Sequence, residues 1–331
     1  MLNLIHTPGG GMFPQLDFSR IRTNSISGRS SKVTLSSSAR PVDPDRDTLA
    51  AFIDSLPAVL KADDLRAFAR AVAAARVEER PVVFMMGAHV VKCGLAPIVI
   101  DLMERGLLTA IAMNSAAAIH DSEAALFGVT SEDVAANLRD GSFGMWKETG
   151  DFINGTLTRA YAGQSCGYGE ALGTGLADAA APHLGSSILA AAVRLGIPVS
   201  VHAAIGTDIV HQQPTMDGAA TGEMSFRDFK VLCHAITGLH GGGAVMNVGS
   251  AVLLPEVFLK ALTVVRNLGY DAAGFATANF DMIQHYRPAM NVVARPTQDS
   301  GVGYSFTGHH ELMIPLLAAM IKREQAGQAG A

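Results

Sequence analysis

Short, wholly apolar runs alternate with amphipathic stretches along most of this chain. Residues 82–86 read Val-Val-Phe-Met-Met, as a strand covered on both faces would. Leu95, Ile98, Val99, Leu102 and Met103 then recur at helical spacing, and Gly106 closes the run as a helix C-terminal glycine does. A second apolar strand over residues 108–113 stops at Asn114-Ser115. The alternation continues with a helix over 184–195 and a strand over 197–201, then a helix over 226–239 and a strand over 244–248. A further helix starts near Pro255 and runs to Gly269, followed by a fifth strand over 272–276. Residues 46–60 and 62–79 read as two helices ahead of this pattern, and 311–323 as a helix after it. Repeated strand, polar loop and helix predict an α/β fold: an open parallel sheet with helices on both faces.

In such sheets ligands bind beyond the carboxyl ends of the strands, where helix N-termini present free N–H groups. Those ends carry His89, Lys92, Asn114, Ser115, His120, Asp121 and Glu123, and further along His202, Asp208, His211, Thr277 and Asp281. His120-Asp121-x-Glu123 reads either as a helix start with favourably placed acids or as an edge that recognises hydroxyls and amines. Thr130 or Ser131 reads as the cap of a following helix. Gly167-x-Gly169-x-x-x-Gly173-x-Gly175 has the look of a dinucleotide fingerprint, but no apolar strand precedes it, so a small-residue helix or loop is expected there. His202, Asp208, His211 and His309 contain ordinary zinc donors without an HExxH-type spacing. Trp146, the single tryptophan, reads as packing or as a ring for a ligand to stack on. No G-x-S-x-G pattern is present.

Composition narrows the function classes. The chain has 331 residues, 49% of them hydrophobic, which is enough for a large core. A net charge of -5 with no Lys/Arg cluster argues against nucleic acid. No apolar run reaches the roughly 18 residues of a membrane span. There is no signal-peptide pattern, and three scattered cysteines suit a reducing, cytoplasmic setting. Residues 1–22 are Gly/Pro-rich and residues 23–41 hold seven serines, so 1–45 is read as an N-terminal arm or linker and 46–331 as one domain.

From residue 81 onward the order of elements and the strand-end residues resemble the deoxyhypusine synthase family. Where that family has Thr-Ser-Asn and then Ser-Ser-Gly, this chain has Gly87-Ala88-His89 and Lys92-Cys93-Gly94. Asn114-Ser115-Ala116-Ala117-Ala118-Ile119 stands for Thr-Thr-Ala-Gly-Gly-Val, and His120, Asp121 and Glu123 stand where acids follow. Ile197-Pro198-Val199 leads to Asp208 as the family's third strand leads to a two-aspartate loop. Ala276-Thr277-Ala278-Asn279-Phe280-Asp281 is similar to Asn-Thr-Ala-Gln-Glu-Phe-Asp, and Asp299-Ser300-Gly301 to its Asp-Ser-Gly. The chain also resembles bacterial synthase-like proteins without an assigned reaction.

The resemblance implies a deoxyhypusine synthase-like NAD-binding fold, a homotetramer, and NAD at strand ends near a subunit interface. It implies that His89, Asn114, Ser115, Ala116, Thr277, Ala278, Asp281 and Ser300 lie near the cofactor, and that Asp121, Glu123 and Asp208 lie near an amine-bearing substrate. The family's catalytic lysine has no counterpart: residues 304–311 contain none and the next lysine is Lys322. Its catalytic histidine falls at Pro255-Glu256. The expectation is therefore NAD-dependent hydride transfer on a small amine or polyol rather than deoxyhypusine synthesis, with acid/base candidates His120, Asp208, His211, His309 and His310. The alternatives are a metal-dependent hydrolase or lyase built on His202, Asp208, His211 and His309, and a non-catalytic NAD-binding sensor.

Overall fold

A computed structural model describes residues 16–163 and 166–329. Two helices, α1 (Leu49–Ser55) and α2 (Leu60–Val77), precede β1 (Val82–Met86). Then come α3 (His89–Lys92), α4 (Ala96–Glu104) and β2 (Ala110–Asn114). Five helices separate β2 from β3 (Val199–His202): α5 (Ser115–Phe127), α6 (Val134–Asn137), α7 (Lys147–Gly163), α8 (Tyr168–Asp178) and α9 (Ile188–Leu195). Next, α10 (Gly218–Ala235) leads to β4 (Ala244–Val248), and α11 (Leu253–Asn267) to β5 (Ala276–Asp281). A short helical turn, α12 (Tyr286–Pro288), and a π-helical turn over Ala289–Ala294 come before β6 (Val302–Thr307) and α13 (His310–Ala329).

Among the described residues six strands form one sheet in the order β3-β2-β1-β4-β5-β6, every pairing parallel. The period-2 alternation of a strand separates two cores. Val82, Phe84 and Met86 pack with α2, α4, α5, α8, α9 and α13 on one face, while Val83 and Met85 pack with α10 and α11 on the other. β3 is an edge strand, and α10 covers that edge: Asp228 accepts from Val201 N at 2.6 Å and Ser225 from Ala203 N at 3.0 Å.

Several boundaries depart from the sequence expectation. The fifth strand is Ala276–Asp281, so Thr277 and Ala278 lie within the sheet and not on a loop beyond it. β6 was not anticipated; its pairing with β5 puts residue 302 beside Ala276 at the amino edge. The helix before β4 begins at Gly218 and the tail helix at His310. Residues 184–186 form a 3-10 turn ahead of α9, where one continuous helix was expected. Asp133, and neither Thr130 nor Ser131, caps α6 by accepting from Ala136 N at 3.0 Å. The glycine-rich stretch is helix α8, in keeping with the small-residue reading. Of the expected arm, residues 1–15 lie outside the described residues; the rest carries three 3-10 turns with no buried residue. Its end is tied to α1 by Arg40 N donating to Ser55 O at 2.9 Å.

Candidate active site at the strand ends

The strand order reverses between β1 and β4, which divides the carboxyl edge of the sheet into two halves. The β4-β5-β6 half is filled by its own side chains. Asn247 donates to Ser250 O at 2.9 Å and to Asn279 Oδ1 at 2.7 Å; Asn279 donates to Gln284, and Gln284 to Phe306 O. His310 closes the gap between β4 and β5, donating from Nε2 to Phe280 O at 3.1 Å. A Cβ on Gly249, whose φ is +68°, would stand 2.7 Å from that ring.

The β1-β2-β3 half is open. A cavity of about 580 Å³ lies over it, within the range of small-molecule pockets. α5 forms its floor with Ala116, Ile119, His120 and Glu123. Its walls come from the end of α5 (Phe127), the long connection after it (Val129, Thr130, Phe143 and Trp146) and the first turn of α7 (Thr149). That connection is braced from beneath. Glu132 accepts from Gly144 N at 3.0 Å, and Gln213 donates to Gly144 O and Trp146 O, each at 2.9 Å. The walls are thus largely apolar and aromatic, with hydroxyls at Thr130 and Thr149, while Glu123, Glu132, Glu148, Asp208 and Lys92 supply charge.

A hydroxyl network sits in the floor. Thr149 donates to Glu123 Oε1 at 2.9 Å, Thr130 donates to Glu123 Oε2 at 2.5 Å, and the Thr130 hydroxyl lies 2.6 Å from His120 Nδ1. Burial, with Lys92 and His89 nearby, pushes His120 down to about 4, so its ring is neutral at pH 7. Beneath the rim, Ser115 donates to Asp208, whose carboxyl is raised by burial. His211 Nδ1 accepts from Gly206 N and Asp208 N, and its Nε2 is buried without a hydrogen bond, 3.9 Å from Asp208 Oδ2.

The structure brings some of the expected residues together and leaves others apart. Ala116, His120, Glu123 and Asp208 line the one cavity, and Ser115 and His211 support it through Asp208. Asn114 accepts from Ala117 N at 2.9 Å and so caps α5. His89 is exposed at the start of α3, with its ring 6.3 Å from that of His310. His309 is exposed, 3.7 Å from Glu311. Asp281 ends β5 and accepts from Met282 N. Asp121 is fully buried away from the cavity, accepting from Ser187 Oγ, Ile188 N and Leu189 N at the start of α9. Burial raises its carboxyl to about 6 against the pull of those donors. Thr277 and Ala278 are buried inside β5, and Ser300 stands at the opposite, amino edge of the sheet. Among the described residues no three His, Cys, Asp or Glu side chains converge as a metal would need. His202, from the metal alternative, is buried against Ser200 at 3.0 Å.

Sequence reasoning missed Thr149 and Phe143 altogether, and read Thr130 as a cap. Its only signal for the wall was Trp146, an isolated aromatic in a glycine-rich stretch.

No protein-family model matches the sequence, and no curated protein does either. Solved structures share the fold. AgrE, in its ternary complex with ornithine and NAD⁺, superposes with a TM-score of 0.51 at 14% identity over 81% of this chain. A protein designated LOR/SDH from Methanococcus maripaludis gives 0.50 at 15% identity, over 80% of this chain and 70% of its own. What these structures share with this chain is the fold, here an open, all-parallel α/β sheet. A chain designated a deoxyhypusine synthase in Entamoeba histolytica also aligns, with a TM-score of 0.49 and 12% identity, over 85% of this chain and 96% of its own. At these identities the likeness is one of fold. The chain spans about a third of AgrE's length, the covered share being 34%.

Proposed function

We propose that the cavity over β1, β2 and β3 is the substrate site of an NAD-dependent enzyme that oxidises a small amine or polyol by hydride transfer. The observation that carries this reading is the cavity itself: apolar and aromatic walls around one neutral histidine and several carboxylates. Glu123, Glu148 and Asp208 outnumber Lys92 there, which favours a cationic or hydroxyl-rich ligand over an anionic one. Trp146 and Phe143 give the body of an organic cation an aromatic surface.

Features of the chain also fit a dinucleotide. The N-terminus of the 13-residue helix α5 opens onto the cavity at Ala116, where a small side chain allows a phosphate to come close. Its first turn carries a single side-chain cap, Asn114 on Ala117 N. Bound there, NAD⁺ would supply the acceptor for the hydride that leaves the substrate carbon. The chain's own part is to hold the substrate and take its proton. Two features favour His120 for the proton. It is the histidine that lines the cavity, and its ring is neutral at pH 7. His211 and His310 already use ring nitrogens on the backbone, and His309 lies beside Glu311. His89 flanks the edge as a further cofactor contact, whereas Asp281, at the end of β5, would reach a cofactor only in an arrangement other than this cavity. Thr277, Ala278 and Ser300 would reach a cofactor only in an arrangement other than this cavity.

Exposed apolar side chains at the mouth, Phe127, Val129 and Trp146, suit closure by a second copy in a homotetramer. The same reading keeps the enzyme in the cytoplasm. It departs from deoxyhypusine synthesis itself, since the lysine that the resemblance implies has no counterpart in residues 304–311 and Lys322 pairs with Asp101 at 2.9 Å between α13 and α4. Calorimetric titration with NAD⁺, followed by absorbance assays of NADH formation across amines and polyols, tests the proposal. Saturable binding is expected, with turnover falling about 10²–10⁴-fold in His120→Gln. Absence of any NAD(H) binding overturns it.

A further inference from the structure

We infer that Thr130 is a positioning residue that fixes His120 as the Nδ1–H tautomer and leaves Nε2 as the proton acceptor of the cavity. The inference rests on the cavity assigned above as the substrate site, and it adds a residue and a direction of hydrogen bonding to it.

The argument is a count of hydrogens. Thr130 Oγ1 touches two groups, Glu123 Oε2 at 2.5 Å and His120 Nδ1 at 2.6 Å. A hydroxyl has one hydrogen to give, and Thr130 gives its own to Glu123 Oε2. The hydrogen therefore points at Glu123, and Oγ1 is left to accept. The group it accepts from is Nδ1–H of His120. Glu123 cannot take that role directly, since Oε2 stands 3.9 Å from Nδ1. Its other oxygen is occupied by Thr149 at 2.9 Å, which keeps the carboxylate in place. The hydrogen-bond partner of one ring nitrogen decides the state of the other. With Nδ1 protonated in a neutral ring, Nε2 carries a lone pair.

The consequence is selective. Nε2 accepts from a ligand hydroxyl or amine and offers nothing to a carbonyl oxygen. When the substrate gives up its proton, its O–H or N–H bond breaks, the electron pair stays on the heteroatom, and a new N–H bond forms at Nε2. The imidazolium that results is steadied by Glu123 through the Thr130 hydroxyl, an arrangement of acid, bridge and base. Lys92 and His89, near the ring, both favour its neutral state and so the onward release of the proton.

Nitrogen NMR on ¹⁵N-labelled protein at pH 7.5, without cofactor, reads the tautomer directly. His120 is assigned by the signal lost in His120→Gln. In the wild type its Nε2 should resonate where an unprotonated ring nitrogen does and its Nδ1 where a protonated one does. Thr130→Ser should keep that pattern, and Thr130→Val should move Nε2 toward the protonated position. A wild-type spectrum with hydrogen on Nε2 overturns the inference, even if Thr130→Val does not fold. So does a folded Thr130→Val whose ring shifts match the wild type. Since no cofactor is present, this outcome is independent of whether NAD⁺ binds.

Discussion

The two halves of the sheet's carboxyl edge carry similar residue types and do different things with them. On the β4-β5-β6 side, Asn247, Asn279, Gln284 and His310 bond to one another or to backbone, and none of them lines the 580 Å³ cavity. On the β1-β2-β3 side, His120, Glu123 and Asp208 bond to neighbours yet still face a space of about 580 Å³. Polar residues at strand ends are therefore not the mark of a site by themselves. What distinguishes the open half is the long insert between β2 and β3, residues 115–198, which lifts a wall away from the sheet. The closed half has short connections that fold straight back. The comparison predicts that changes in the closed half cost stability, and changes in the open half cost ligand binding.

The seam between the halves should give the largest effect. Gly87 follows β1, and a Cβ there would lie 2.2 Å from the backbone oxygen of Gly249. The obstacle is main chain and cannot rotate away. Overpacking of this kind costs about 1–3 kcal/mol or more, and Gly87→Ala should fall at or above the top of that range in denaturant unfolding. A loss below about 1 kcal/mol would mean that β1 and β4 separate easily.

Within the closed half, Asn279→Leu removes the acceptor for Asn247 and the donor for Gln284. Buried amides left without partners cost about 1–3 kcal/mol. The expected outcome is that loss in chemical denaturation together with unchanged NAD⁺ affinity by calorimetry. Weakened binding at intact stability would place part of the ligand over β5 and break the comparison.

These same residues show why half the edge was illegible in the sequence. Asn279 and Asp281 in Ala-Thr-Ala-Asn-Phe-Asp look like a polar loop, so the strand was set over the small apolar stretch before it. In the fold, Asn279 is tolerated inside a central strand because Asn247 stands opposite in register. That pairing is between residues 32 apart, and no local pattern carries it. β6 was hidden for a different reason: it is a half-exposed edge strand with Gly303 inside it, so its apolar signal is weak. β1, β2, β4 and the helices beside them were legible because they are buried on both faces and read as unbroken apolar runs. The cavity floor was legible through the strand-end residues of β2. Its wall was not, since Val129, Phe143 and Trp146 lie in the irregular, glycine-containing stretch between α5 and α7. Asp121 misled for a tertiary reason: its position suggested a ligand, but it caps a helix 66 residues away in sequence.

A smaller effect, visible as a pH dependence, is expected below the open half. Asp228 holds β3 and α8 together, accepting from Val201 N and Gly169 N. Burial lifts its carboxyl from the usual 3.8 to about 7, despite those donors. The folded chain thus holds this proton more tightly than the unfolded chain does. The stabilisation is complete below about pH 4 and is lost as pH rises through about 7. Asp228→Asn cannot ionise, so its unfolding free energy relative to wild type should climb between pH 5 and pH 8. His202, pushed down to about 4 by burial, has the opposite slope but is common to both proteins and drops out of the difference. A pH-independent difference would mean that Asp228 is ionised throughout and acts only as a clamp.

The smallest change in stability should come from the wall of the open half, and there it is the contrast that matters. Trp146 is 42% exposed, and it is held in place through its backbone oxygen by Gln213. Removing its ring by Trp146→Ala leaves that bond intact and opens no core cavity. Surface substitutions of this kind stay within about 0.5 kcal/mol. The lost aromatic wall should instead weaken an amphipathic amine, by roughly the 0.5–2 kcal/mol that a ring contributes to a cation over its face. Calorimetry on the variant with whichever amine the wild type binds, beside a denaturation curve, separates the two quantities. If Trp146→Ala unfolds the chain as Gly87→Ala does, the wall belongs to the core and the division into an open and a closed half fails.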